Sequence, residues 1–406
     1  MKILYIHQHF VSADGIGVTR SHDIARYLVS MGHQVTVICG YSSTKGLPPV
    51  KSFRLWRIHW LDGIKIVICN VAYNQNMSPY MRVGSFIMFA FIASIVALLE
   101  KGANIVFATS TPLTVTIPGV ISSKIKRVPY IFEARDLWPE DHVASGRMKE
   151  GSFIHRFFVK LERMAYKNAK YITVVSDGFY NRLLERGISM DNLNMIPLGA
   201  DANKFANIVP DHSEFIKKKI INKKVAIYTG AHGNTNGLYQ LLDAAEKLKH
   251  RNDIVIVLIG KGSEKTKLEN VSKTRGLSNV IFLDPVPISK LVGILAASHM
   301  GLIIFKQITR PRWLTPNKFY DYCFSELPSI VNFDGTTAEL VKSEKIGIST
   351  LPGSSADLAR AIEYYSDNEL VRKETGFKAR ELAFKYYDRK QIAKRMEALF
   401  LKALEN

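Results

Sequence analysis

The sequence predicts an α/β protein of two doubly wound domains, each built on a parallel sheet. Short apolar runs alternate with helical patterns from the start: Ile3-Leu4-Tyr5-Ile6, a helix over about 21–31, then Gln34-Val35-Thr36-Val37-Ile38-Cys39. This is the rhythm of parallel strands joined by crossover helices. A second such series opens at Val225-Ala226-Ile227-Tyr228-Thr229-Gly230, after a polar, lysine-rich stretch over 201–224 that reads as a linker. The 406 residues leave room for two cores of ordinary size.

Hydrophobic residues make up 47% of the chain and charged residues 22%, the balance of a folded soluble protein. The formal charge of +19 points to an anionic partner: nucleic acid, an acidic membrane surface or a phosphorylated substrate. Cys39, Cys69 and Cys323 lie far apart without metal-ligand spacing and read as reduced thiols. The run Met1 to His7 carries one charge and is too short for a signal-peptide core, so it reads as a first strand and export is not expected. Val83 to Leu99, uncharged and bounded by Arg82 and Glu100, sits at the lower length limit of a membrane span. It reads as a core helix with one face near lipid.

In order along the chain, the first loop contains Gly15-Ile16-Gly17 but no third glycine, and Cys39-Gly40-Tyr41 follows the second strand where a dinucleotide fold needs an acid. NAD binding is therefore not expected. Gly15 and Gly17 suit close approach of backbone to a sugar or phosphate, with Arg20 close behind; a plain flexible loop fits them too. Between Lys45 and Trp60 there is no acid, and Lys51, Arg54 and Arg57 interleave with Phe53, Trp56 and Trp60. Such mixing suits an anionic membrane interface, continued by Arg82. Nucleic acid or a solvated basic strand would use the same composition.

Two later strand-to-loop junctions carry the chemistry of the first half. Ile105 to Pro112 is one, and Tyr130 to Glu140 the other, with Glu133, Arg135, Asp136 and Glu140 around Trp138. So many charges beside a core are costly unless paired, so this is either a site or a structural Arg–Asp clamp. In the second half, the loop Gly230 to Gly237, with His232 and Gly233, precedes a helix over about 238–248, and Lys261 lies between Gly260 and Gly262 after a strand. Arg310 and Arg312 then precede Pro316-Asn317-Lys318-Phe319-Tyr320-Asp321-Tyr322. The proline marks a helix start, Asn317 and Lys318 fall on its first turn, and Asp321 shares their face. Cations and free amide groups there suit a diphosphate, and the carboxylate suits a ribose diol.

The stretch Pro316 to Tyr322, followed by Leu327-Pro328, resembles the nucleotide-binding helix of retaining glycosyltransferases of family 4. Arg135-Asp136-Leu137-Trp138-Pro139-Glu140 resembles a motif of its bacterial O-antigen and capsule branch, which includes N-acetyl-L-fucosamine transferases. The sequence departs from the family at several points. Of two glutamates eight positions apart, the second is Asp321 here and the first Trp313; Arg135 stands where the wider family has histidine; Ala231 and Asn236 replace phosphate-binding cations.

The resemblance implies a GT-B fold of two Rossmann-like domains facing a cleft: residues 1–200 for the acceptor, with 386–406 returning to them, and 201–385 for the nucleotide-sugar. It implies retaining transfer of an N-acetylated deoxyhexosamine from a UDP-sugar to an undecaprenyl-diphosphate-linked saccharide. The enzyme would be peripheral on the cytoplasmic face of the inner membrane, with no cofactor and no nucleic-acid partner. No Asp-x-Asp pair occurs in the sequence, which disfavours a metal-clamped diphosphate. Catalysis would fall to Arg135, Asp136 and Lys318. The donor would be held by Gly15, Gly17, His232, Gly233, Lys261, Arg312, Pro316, Asn317, Lys318 and Asp321. His7, His9, Arg20 and Glu133 would line the acceptor side, and Arg54, Trp56, Arg57, Trp60 and Arg82 would meet the membrane. A UDP-sugar 2-epimerase of the same architecture, or a catalytically degenerate membrane scaffold, would fit the same outline.

Overall fold

The computed structural model describes the chain apart from residues 13–16, 41–48, 74–76, 307–312, 314 and 406. It forms two units, Met1–Pro197 with Arg389–Asn406, and Leu198–Asp388.

Unit 1 runs β1 (Lys2–Ile6), α1 (Arg20–Ser30), β2 (Gln34–Gly40), β3 (Lys51–Ser52), β4 (Trp56–Leu61), β5 (Ile64–Cys69), α2 (Pro79–Leu99), β6 (Ile105–Thr109), α3 (Thr116–Lys126), β7 (Tyr130–Ala134), α4 (Glu140–Ala144), α5 (Phe153–Asn168), β8 (Tyr171–Val174), α6 (Asp177–Glu185) and β9 (Leu193–Met195). The sheet order is β3-β4-β5-β2-β1-β6-β7-β8-β9. Pairing is parallel from β5 to β9, while β4 runs antiparallel to β3 and β5. β1 lies between β2 and β6 with Ile3 to Ile6 buried. A strand covered on both faces reads as an unbroken apolar run, as this one does. The basic, aromatic stretch, so far as it is described, forms the antiparallel edge, with Trp60 59% exposed.

Ser78 caps α2 by accepting the Met81 N–H at 3.4 Å. Phe89, Ala90, Ile92, Ala93, Val96 and Ala97 are buried, and the helix packs against α3, β2 and β5. Its opposite side leaves Tyr80, Met81, Ile87, Met88, Phe91 and Leu99 exposed. Residues 80–99 are long and apolar enough to cross a membrane, with a mean hydropathy of 2.2, yet 44% of that window is buried inside the fold. α2 is thus a core helix whose outer face is also apolar.

Unit 2 runs α7 (Ser213–Lys217), β10 (Lys224–Thr229), α8 (Tyr239–Lys247), β11 (Ile254–Ile259), α9 (Lys265–Thr274), β12 (Val280–Leu283), α10 (Ile288–Ala296), β13 (Met300–Ile303), α11 (Asn317–Phe324), β14 (Ser329–Val331), α12 (Thr336–Ser343), β15 (Gly347–Ser349), α13 (Ser355–Asp367) and α14 (Glu369–Tyr386). Its parallel sheet has the order β12-β11-β10-β13-β14-β15. The stretch 201–224, read as a linker, is part of this unit: Phe205 stacks on Phe324 at 5.3 Å, and Phe215 and Ile220 are buried. A few apolar anchors among many lysines suffice to fold it down.

The last helix, α15 (Arg389–Glu405), belongs to unit 1 and packs on α1. Ile392, Met396, Leu399, Phe400 and Ala403 join the core of Ile3, Ile24 and Leu28. On the same helix Leu401 and Leu404 remain 45% and 40% exposed. At about 100° per residue, the buried stripe continues through positions 400 and 403 instead.

Candidate functional site

Each unit gathers polar side chains at the carboxyl edge of its sheet, the edge at which open α/β sheets bind ligands. In unit 1, Glu133 near the end of β7 and Arg20 at the start of α1 are both fully buried, with Nη2 and Oε1 2.7 Å apart. Arg20 also donates to the Pro197 carbonyl at 2.6 Å, and Thr109 Oγ1 donates to Glu133 Oε2 at 2.6 Å. Burial alone would raise the Glu133 carboxyl. The charges of Arg20 and Arg135 and the hydrogen bonds from Arg20 and Thr109 bring it below its ordinary value, so it is ionised.

Arg135 follows two residues later. Its backbone N–H donates to Ser110 Oγ at 2.9 Å, while its half-buried guanidinium has no hydrogen-bond partner among the described residues. Glu133 is already paired by Arg20, so Arg135 presents a surplus cation with five donors. Asp136 accepts from Thr111 Oγ1. The clamp anticipated between Arg135 and Asp136 is formed by Arg20 and Glu133.

His7 and His9 leave the end of β1. His7 Nδ1 lies 2.8 Å from Ser21 Oγ. The His9 ring sits 4.7 Å from Tyr73 and 6.2 Å from Phe86. Burial, then the charge of Arg135, lowers His9 to about 4. Burial with Arg135, His9 and Arg20 holds His7 well below the usual histidine range, so both rings are neutral at neutral pH.

In unit 2, Pro316 has extended backbone and α11 begins at Asn317. The first-turn N–H groups of a helix have no partner within it. Lys318 lies on that turn, half-buried, its ammonium 3.7 Å from the centroid of the Tyr228 ring and 5.9 Å from that of Phe305. Burial lowers its pKa to about 7, against the opposing pull of Asp321. Nζ has no hydrogen-bond partner among the described residues.

The loops around Lys318 touch backbone to backbone. A Cβ on Gly260 would lie 1.8 Å from the Gly230 carbonyl oxygen, and one on Gly262 would lie 2.3 Å from that of His232. Only glycine permits such approach. The His232 N–H closes the contact by donating to the Lys261 carbonyl at 2.9 Å. The His232 ring is buried 6.1 Å from Tyr228 and 6.2 Å from Phe282, and neither ring nitrogen has a hydrogen-bond partner among the described residues. Burial, with Lys265 and Lys318, lowers it to about 4. Asn317 Oδ1 is buried without a hydrogen-bond partner among the described residues, and the Lys261 side chain is exposed.

Residues 15–199 match the family model of the glycosyl transferase 4-like domain, and residues 211–382 that of glycosyl transferases group 1. The chain pairs a glycosyl transferase 4-like domain with a group 1 domain. Among curated proteins it is similar to WcaI of Escherichia coli K12, named as a colanic acid biosynthesis glycosyl transferase. The two are 22% identical over 76% of this chain and 77% of that one. Among solved structures, sucrose-phosphate synthase of Thermosynechococcus elongatus aligns with a TM-score of 0.77 and 14% identity over 99% of this chain and 98% of that one. HepE of Anabaena, solved in complex with UDP-glucose, aligns with a TM-score of 0.73 and 17% identity over 99% and 100%. These neighbours share the GT-B fold, two Rossmann-like parallel-sheet domains.

In the glycosyl transferase 4-like domain, Arg135, Asp136, His7 and His9 stand where the strands β1 and β7 end. Two of the acceptor-side residues require correction: Arg20 and Glu133 are wholly buried and paired with each other. Gly17 is exposed, with φ +139, and Gly15 lies outside the described residues. Of the membrane candidates, Arg54 and Trp60 are exposed, Arg57 and Arg82 half-buried, and Trp56 packs on Phe53 at 5.3 Å.

In the group 1 domain, α11 carries Asn317, Lys318 and Asp321, and Pro316 precedes it. Gly233 lies in the same loop as His232, whose buried ring supports that loop from within. Arg310 and Arg312 lie outside the described residues. Tyr228 and Phe305, which flank the Lys318 ammonium, and Ser21, which holds His7, had no sequence motif to mark them; each lies in or beside an apolar run or helix start.

Proposed function

We propose that the protein transfers an N-acetylated deoxyhexosamine from a UDP-sugar to an undecaprenyl-diphosphate-linked saccharide, with retention and without a metal. The donor is carried by the group 1 domain and the acceptor by the glycosyl transferase 4-like domain. The observation that carries this reading is Lys318: a half-buried ammonium on the first turn of α11, without a hydrogen-bond partner among the described residues. A departing nucleoside diphosphate needs its growing negative charge stabilised, and a preorganised cation at a helix amino end does this. Asp321 takes the ribose diol, and Lys261 supplies further positive charge. Arg135 and Asp136 meet the reacting sugar and the acceptor, and the leaving phosphate helps take the acceptor's proton. The name of WcaI and the UDP-glucose bound to HepE support the substrate classes.

The enzyme sits on the cytoplasmic face of the inner membrane. The exposed apolar side of α2, with Trp60 and the cations Arg54 and Arg82, supports a peripheral attachment in which apolar side chains enter the interface and cations meet anionic lipid.

A thermal-shift panel of UDP, GDP, ADP and dTDP on wild type and Asp321→Ala tests the donor half, since a ligand that binds only the native state raises the melting temperature. UDP alone should stabilise the wild type and fail with the variant. A response to GDP would move the donor to another class, and silence to every nucleotide would end the reading. Formation of an epimer from donor alone would assign a UDP-sugar 2-epimerase instead.

A further inference from the structure

We propose that Tyr5, Ser21 and His7 form a one-way hydrogen-bond wire that presents the His7 Nε2–H as a fixed neutral donor to an uncharged oxygen of the acceptor saccharide. The proposal rests on the transfer reading above and names a group that meets the acceptor.

The direction of the wire follows from counting hydrogens. Tyr5 Oη lies 2.9 Å from Ser21 Oγ, which lies 2.8 Å from His7 Nδ1. The phenol and the hydroxyl each carry one hydrogen, and Nδ1 carries one or none. Tyr5 and Ser21 are buried, and among the described residues Ser21 is the phenol's hydrogen-bond partner. If Nδ1 also carried a hydrogen toward Ser21, three hydrogens would share two contacts, and either the Ser21 or the phenolic hydrogen would be enclosed with no acceptor. A buried donor left in that state loses its full hydration. Tyr5 therefore donates to Ser21, and Ser21 donates to Nδ1. The one hydrogen of the neutral ring is then on Nε2.

The surroundings keep the ring in that form. His7 faces Arg20 and Ser21 on α1, Arg135 after β7, His9 on its own loop and the Tyr5 phenol, with Glu133 beyond Arg20 already paired. Burial and the neighbouring cations disfavour an imidazolium. Both nitrogens are then committed: Nδ1 accepts, and Nε2–H has no partner among the described residues. His7 cannot serve as a base through Nε2. A neutral donor beside the Arg135 cation suits a hydroxyl, ring or N-acetyl oxygen, whereas a phosphate would favour a second charge.

Selective 15N-histidine labelling, with His7→Gln to assign the signal, reads the wire without any assay. His7 should show a bare Nδ1 and a protonated Nε2 from about pH 8 to about pH 6. An Nδ1-protonated ring, or an imidazolium in that range, overturns the proposal. Ser21→Ala removes the hydroxyl that fills Nδ1 and should admit the Nδ1–H tautomer, whereas Tyr5→Phe leaves the Ser21 donation in place and should keep Nε2–H; an unchanged tautomer in Ser21→Ala overturns the wire.

In transfer assays, the His7→Gln amide reaches the Nε2 position and should keep kcat/KM for acceptor within about fivefold of wild type. His7→Asn reaches only the Nδ1 position and should lose about tenfold, with the donor KM unmoved. Equal losses would overturn the donor role. Failure of the wild type to transfer at all would remove the saccharide oxygen through the reading it rests on, while the spectrum alone still decides the wire.

Discussion

The ammonium of Lys318 rests 3.7 Å from the centre of the Tyr228 ring, a cation held over an aromatic face on the first turn of a helix. With its pKa at about 7, this lysine is close to half charged in the free protein at neutral pH. Binding a diphosphate favours the charged form, so above pH 7 binding takes up a proton. UDP affinity should fall as pH rises from about 7 to 9, by up to about tenfold per unit. Below that window the lysine is already charged, and the slope should vanish. Lys318→Arg should flatten the profile, as calorimetry in buffers of different ionisation enthalpy would register.

The buried pair of Arg20 and Glu133 makes a second prediction. Glu133→Gln leaves the Arg20 charge enclosed without its partner and should cost about 3–5 kcal/mol of stability in urea titration. Because the Glu133 carboxyl is held below its ordinary value, its contribution is present above the unfolded carboxylate's pKa and disappears as pH falls through the folded one. The variant should therefore lose stability at neutral pH and show a shallower acid limb than wild type.

Gly262→Ala tests the contact between the two loops of unit 2. The added Cβ would meet the His232 carbonyl oxygen at 2.3 Å, so one loop must give way. Thermal stabilisation by UDP should drop sharply, while far-ultraviolet circular dichroism stays that of the wild type. Unaltered stabilisation would mean that the loop geometry has no part in nucleotide binding.

The outer face of α2 gives a fourth. Phe91 is 61% exposed on a helix whose other side is core, so Phe91→Asp should fold normally. It should nevertheless weaken co-flotation with anionic vesicles at low salt. Arg54→Glu should weaken it as well, since each basic residue near such a surface contributes about 1 kcal/mol. Vesicle binding that neither change reduces would rule out attachment through this surface.

Much of this was legible in the chain because the buried strands are covered on both faces and so read as apolar runs: Ile3 to Ile6 and Ile254 to Ile259 need no partner to be recognised. The start of α11 was legible because Pro316 marks it. Arg20 was misread because a cation behind a glycine-rich loop looks like a ligand-binding group. Its partner Glu133 lies 113 residues away, and only the register of the sheet brings the two together. The cost of an unpaired Glu133 was visible, but the identity of the residue that pairs it was not. The same limit hid Tyr228 behind Lys318, since a tyrosine in a strand signals core.

The return of α15 to unit 1 shapes how the chain comes off the ribosome. Unit 2 is continuous, and its core is available once residue 388 has emerged. Unit 1 has the strands β1 to β9 earlier but lacks Ile392, Met396 and Phe400, which close its core over Ile3 and Leu28. The first part synthesised is therefore the last to be completed, and during the interval its uncovered apolar face is open to chaperones and to wrong partners.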